Sequence, residues 1–232
     1  VTDDRIKTWF FGLAILGLSF LIFGNSIKGD FIYDDQIVLS HSLFNQPWQF
    51  FKFFTEPYFE DFIKAGLYRP LTQISFALNF ALGGANPAGF HIFNILFHGL
   101  NSFLVFVFTK EWLKSPKIGV MATLLFLVLP IHSEAVASIV GRAELLGFFF
   151  AILSLLFWSR NRYLVSAVFL FCGLLSKETV IVILLVMAIK MLYDRSLAVL
   201  WKKFFYPAGV IGAYFWLRVY VLGEYTFKSN AE

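Results

Sequence analysis

The sequence predicts an all-α, polytopic membrane protein of about seven transmembrane helices, with a long first outer loop carrying surface-lying amphipathic helices. Three observations lead there. The 232 residues are 59% hydrophobic and only 15% charged, where soluble domains carry about a quarter charged residues. The apolar residues come in blocks of helix length separated by short polar turns. Lys and Arg are distributed unevenly between alternate turns, as they are when cytoplasmic loops retain positive charge.

The first block, residues 8–27, is too long for a signal-peptide core and has no small-residue cleavage pattern, so it counts as a span. Further blocks follow at 90–109, 118–131, 145–158, 163–175, 180–192 and 207–222. Several are short. Fourteen helical residues reach about 21 Å, against a hydrocarbon core of about 30 Å, which brings the polar flanks close to headgroup depth. Re-entrant hairpins are the competing explanation.

Seven spans with the N-terminus in the cytoplasm leave eleven bases and four acids inside, and eight bases and eleven acids outside. That asymmetry makes residues 28–89 the first extracytoplasmic loop. Within it, residues 46–54 start a helix near Pro47 and supply interfacial aromatics. A second helix over 68–79 has Pro70 near its start and Gly83-Gly84 as its stop, with Thr72, Ser75 and Asn79 on one face. The basic residues form no cluster on a soluble face, which excludes nucleic acid as a partner and leaves the bilayer. Cys172 is the only cysteine, so no intrachain disulfide forms. The absence of any N-x-Ser/Thr site favours a bacterial cytoplasmic membrane over the endoplasmic reticulum.

Four stretches could carry chemistry. Asp34 and Asp35 lie side by side just beyond the first span, flanked by Phe31, Ile32, Tyr33 and Ile37. Desolvation and a like-charged neighbour favour a neutral carboxyl, which suits a general base. Consecutive side chains diverge, so one of the two faces a substrate. His91, Asn94, His98 and Asn101 share one face of the second span. Either they line a cavity or they tie helices together, and for the deeper His98 and Asn101 interhelical bonding is the preferred reading. The connection 130–144 holds His132, Glu134, Arg142 and Glu144. Asp34, His132 and Glu134 are ligand types that suit a divalent metal, but the zinc-binding His-Glu-x-x-His pattern is missing and no metal is required. Ser176-Lys-Glu-Thr179 would place Lys177 at phosphate depth, where Lys177 and Arg142 could clamp an anion.

Taken in order, Y-D-D, Y-R-P-L-T-x-x-S-F-A-L-N, G-F-H-x-x-N-x-x-x-H, H-S-E-A-V-A-S-I-V-G-R-A-E and L-L-S-K-E resemble the transmembrane-and-tetratricopeptide-repeat O-mannosyltransferases and their bacterial relatives, within the GT-C superfamily of glycosyltransferases. The likeness runs over about two thirds of the chain. It implies a single GT-C-like transmembrane domain over 1–232, the N-terminal part of a longer architecture with further spans and a repeat domain. It also implies an extracytoplasmic active site that moves a mannose-like sugar from a polyprenyl-phosphate donor to a hydroxyl on a protein or other acceptor, with inversion. By position, Asp34 and Asp35 match the catalytic acids, with Asp34 preferred as base. Arg69, Arg142 and Lys177 are assigned to the donor phosphate, and Tyr68, His91, Asn94, His132, Glu134 and Glu178 line the site. The rival expectation is a non-catalytic transporter subunit or assembly scaffold.

Overall fold

The computed structural model describes residues 2–40, 42–45, 47–58, 66–193 and 200–223. Among these every regular element is helical. The ten α-helices are α1 (Thr2–Phe23), α2 (Asp35–Ser40), α3 (Pro70–Gly83), α4 (Pro87–Leu113), α5 (Pro116–Val128), α6 (Ser133–Ala137), α7 (Arg142–Ser159), α8 (Tyr163–Ser176), α9 (Ile183–Tyr193) and α10 (Leu200–Leu222). Prolines and caps set several starts. Pro70, Pro87 and Pro116 stand in the first turn of their helices, where a missing N–H costs nothing. The side chains of Asn86 and Ser115 accept the Ala88 and Ile118 amides as N-caps.

Each of the seven apolar blocks contains or becomes a helix, but the seven crossings are not reproduced. Among the described residues four helices are long and apolar enough to cross a bilayer, with spans at Thr8–Lys28, Pro87–Leu113, Arg142–Ser159 and Phe205–Leu222. A fifth crossing results if Pro116–Val128 and Pro130–Ala137, bent by 53° at their junction, count as one. Leu129 is extended and Pro130 follows it, so the helix must break there. With 14 residues α8 falls short of a full crossing, as does α9 with 11. The chain is still a multi-pass membrane protein by its apolar helices.

The chain divides into two compact units. Residues 1–39 with 85–145 form the first, and residues 40–84 with 146–232 form the second.

In the first unit α4 is the centre, packed on α1, α5 and α6. Phe23, Ile95, Val136 and Leu145 make its apolar core. Polar groups lock the helices together: Ser19 Oγ donates to the Ile95 carbonyl at 2.9 Å, and the Asn101 side-chain amide to the Leu145 carbonyl at 2.9 Å.

In the second unit α8 packs on α3 and α10. Of the two surface-lying helices expected from the sequence, the second is instead buried. Residues Pro47–Phe54 form short 3₁₀ turns broken at Gln49, leaving Trp48 and Phe51 exposed. Helix α3 buries Thr72, Gln73, Ser75, Phe76, Ala77 and Asn79. Polar side chains on α3 bond to neighbouring backbone, Thr72 to the Ser176 carbonyl and Gln73 to the Tyr58 carbonyl, so the helix sits inside the unit.

Candidate functional site

The first unit gathers one polar cluster around the chain turn that follows α1. The Asp35 amide donates to the Ile32 carbonyl at 2.9 Å and the Gln36 amide to the Tyr33 carbonyl at 3.1 Å. Tyr33 sits at φ 48°, in the left-handed region. The turn throws Tyr33 and Asp34 outward and turns Asp35 inward: Asp34 is exposed, Asp35 1% exposed. The divergence expected of adjacent carboxylates is present.

Asp35 Oδ1 accepts the Ser138 hydroxyl at 3.1 Å and the Val140 amide at 2.9 Å. Ser138 closes α6, and its carbonyl accepts the Asn94 side-chain amide at 2.8 Å. Asn94 Oδ1 in turn accepts Arg142 Nε at 3.0 Å, while the guanidinium also donates to the Phe90 carbonyl at 2.9 Å. Arg142 is fully buried, its guanidinium 5.3 Å from the Phe90 ring centre and 5.0 Å from that of Phe93. His91 is buried beside Asp35, Arg142 and the Ala137 carbonyl, yet neither ring nitrogen makes a hydrogen bond of ordinary geometry. Asp35 Oδ2 is likewise without a partner.

Asp35, His91, Asn94 and Arg142 therefore come together, but Arg142 serves the protein interior instead of facing outward. His132 stands apart, its ring 4.3 Å from Phe126 and 5.4 Å from His98. Glu134 is exposed in the first turn of α6. His98 pairs with the Leu127 carbonyl at 3.2 Å, so the deeper half of the α4 stripe ties helices together. Among the described residues no three His, Cys, Asp or Glu groups assemble into a cluster able to hold a metal.

The second unit holds the other predicted residues. Arg69 grips Glu178 through two parallel bonds, Nε to Oε2 at 2.9 Å and Nη2 to Oε1 at 2.6 Å. Burial alone would raise the Glu178 pKa. The Arg69 hydrogen bonds and charge, with Lys177 adding, outweigh it and hold the carboxyl below its ordinary value. The guanidinium also lies 5.2 Å from the Tyr58 ring centre. Tyr68 is buried and donates to the Phe54 carbonyl at 2.9 Å; burial, with Tyr214 beside it, pushes its phenol up to about 12. Lys177 is half-buried where α8 ends, its amide bonded to the Gly173 carbonyl at 2.8 Å.

Sequence reasoning missed Ser138 and Val140, although both lie in the stretch it singled out. It also missed Arg218, which donates to the Gly66 carbonyl at 2.9 Å from α10. Ser138 carried a signal, a small hydroxyl four residues before an arginine in a turn between spans. Arg218 carried none.

Compared with known proteins, the chain is 36% identical over 159 residues to protein O-mannosyl-transferase TMTC2 of Mus musculus, covering 64% of this chain and 18% of that protein. It is 36% identical over 170 residues to TMTC4 of the same organism, covering 63% and 22%. With protein O-mannosyl-transferase Tmtc1 of Drosophila melanogaster it shares 32% over 188 residues, covering 72% and 21%. The chain thus resembles this family while spanning about a fifth of the length of the curated relatives it matches. No family model matches, and no solved structure matches significantly.

Proposed function

We propose that the chain is the glycosyl-transferring part of a membrane enzyme that moves a mannose-like sugar from a polyprenyl phosphate to an acceptor hydroxyl on the extracytoplasmic side, with inversion. The observation that carries this reading is the presentation of the Asp pair: one carboxylate is exposed at the tip of a tight turn, and its neighbour is buried beneath it. The relatives named as O-mannosyl-transferases supply the reaction class.

In this reading Asp34 takes the proton of the acceptor hydroxyl as its oxygen bonds to the anomeric carbon. The bond from that carbon to the phosphate oxygen breaks on the opposite face, and the electron pair leaves with the lipid phosphate. That group already carries its charge, so a fixed cation suffices to stabilise it and the chemistry requires no cofactor. Arg69 and Arg142 commit their guanidinium groups to Glu178 and to Asn94 with Phe90.

The test is sugar transfer from polyprenyl-phosphate mannose by membranes carrying the full chain. Asp34→Asn should lower it about a hundredfold or more, the scale of a general base, while leaving insertion and thermal melting unchanged. Full activity in that variant removes Asp34 from the chemistry and leaves the transporter-or-scaffold reading standing.

A further inference from the structure

The buried neighbour of the exposed carboxylate makes contacts that a base does not need. Asp35 Oδ1 accepts two donors from one short stretch, the hydroxyl of Ser138 and the amide of Val140. Those donors are more than one hundred positions away in sequence and are themselves held. The Ser138 carbonyl is bonded by Asn94 from α4, and Asn94 is bonded by Arg142, two residues past Val140. Asp35, Asn94 and Arg142 in this chain of bonds are buried, and Ser138 is half-buried. Besides its own two backbone bonds and the packing of Phe31 on Phe90, the tip of the turn carrying Asp34 makes few contacts. Tyr33 and Ile32 are 90% and 56% exposed, and Tyr33 adopts a left-handed conformation that a bulky residue reaches only when its surroundings impose it.

We infer that Asp35 is a positioning residue, not a second base, and that Ser138 with the Val140 amide forms the other half of a clasp that aims Asp34. One carboxylate oxygen receives both bonds, so a single anchor fixes the first turn of α2 and therefore the direction in which the preceding residue points. The clasp also explains the pairing of two carboxylates. The inner one is stabilised by two donors and need not share the outer one's environment. Ser138 contributes a hydroxyl that can be removed without adding bulk, which makes it the clean point of attack.

The kinetic part of the test rests on the glycosyl-transfer reading; the labelling part does not. In the full chain, Ser138→Ala should lower kcat about tenfold or more with KM unchanged, as expected when a reacting group is displaced by a fraction of an ångström. Ser138→Thr, which keeps the hydroxyl, should restore most of it. For the labelling part, Asp34→Cys in a Cys172→Ser background is treated with a membrane-impermeant maleimide. Adding Ser138→Ala should change the labelling rate several-fold, and adding Ser138→Thr should not. Thermal melting of each variant guards against global unfolding. Unchanged labelling in Ser138→Ala overturns the clasp, whatever the kinetics show. Labelling that responds as expected in a chain without any transfer activity supports the clasp and counts against the glycosyl-transfer reading alone.

Discussion

The two units solve the problem of a charge inside an apolar protein in different ways. In the first, Arg142 is fully buried and is satisfied by an amide side chain, a backbone carbonyl and two aromatic faces. In the second, Arg69 meets a carboxylate directly, and the pair keeps some water, with side chains 13% and 27% exposed. The first arrangement is a network in which each member holds the next, so a loss at one point leaves several buried groups unpaired. The second is a single fork whose loss water can partly repair. A rigid network suits a turn that must aim one side chain. A partly exposed fork leaves its turn more freedom.

The same contrast appears in how each turn is closed. Arg142 follows Gly141, where a Cβ would collide with the Ala135 carbonyl oxygen and fall 2.8 Å from the Ala135 carbonyl carbon and Cα. Backbone cannot step aside. Gly141→Ala should therefore displace the 138–142 turn and everything bonded through it, at a cost of about 3 kcal/mol or more, the upper end for forced overpacking. It should melt well below the native chain and lose transfer activity together with stability. If it melts like the native chain, the first unit is more pliable than its bonding implies and the contrast between the units weakens.

The Arg69–Glu178 fork predicts a smaller effect with a definite pH dependence. Glu178 has a lowered folded-state pKa, so its contribution is fully present above the ordinary glutamate value and is lost as pH falls through the folded value. At neutral pH Glu178→Gln should be destabilised by about 1 kcal/mol, given the remaining solvent. As pH falls below the ordinary glutamate range and through the lowered folded-state value, the variant and native melting temperatures should converge as the native carboxyl protonates. Curves that stay parallel at all pH values would show that Arg69 finds another partner and that the fork adds little.

Much of this was legible in the sequence, for reasons tied to chain-local physics. The second span, read as 90–109, lies within α4 at 87–113, and the helix read at 68–79 runs from Pro70 to Gly83. Gly84 takes φ 61°, the positive value that a glycine stop supplies. Proline and glycine act on their own backbone, so pattern finds them. What failed was burial. A stripe of Thr72, Ser75 and Asn79 reads as a polar face, yet all three are buried: Thr72 reaches the carbonyl of Ser176, about a hundred residues on, and Ser75 turns back to the Thr72 carbonyl of its own helix. Arg142 reads as a phosphate clamp because a guanidinium offers two parallel hydrogen bonds, and the partners it has instead, Asn94 and the Phe90 carbonyl, are about fifty residues away. The inward turn of Asp35 was foreseen only as a divergence from Asp34. Which of the two faced inward depended on Ser138 and Val140, and local spacing says nothing about them.

The mildest prediction concerns Gly173 of α8, which faces the turn carrying Lys177 and Glu178. A Cβ there would meet Val180 Cγ1 at 2.8 Å and Phe150 Cβ at 3.5 Å. The obstruction is one methyl of a side chain, so a small rotation or shift relieves it, unlike the backbone at Gly141. Alanine also gains about 1 kcal/mol of helix propensity over glycine in a helix interior, which offsets most of an overpacking cost of about 1–2 kcal/mol. Gly173→Ala should therefore move the melting temperature by no more than a few degrees. A fall in stability comparable to that of Gly141→Ala would mean that the second turn is as tightly locked as the first, and the division between a rigid aiming network and a softer fork would have to be given up.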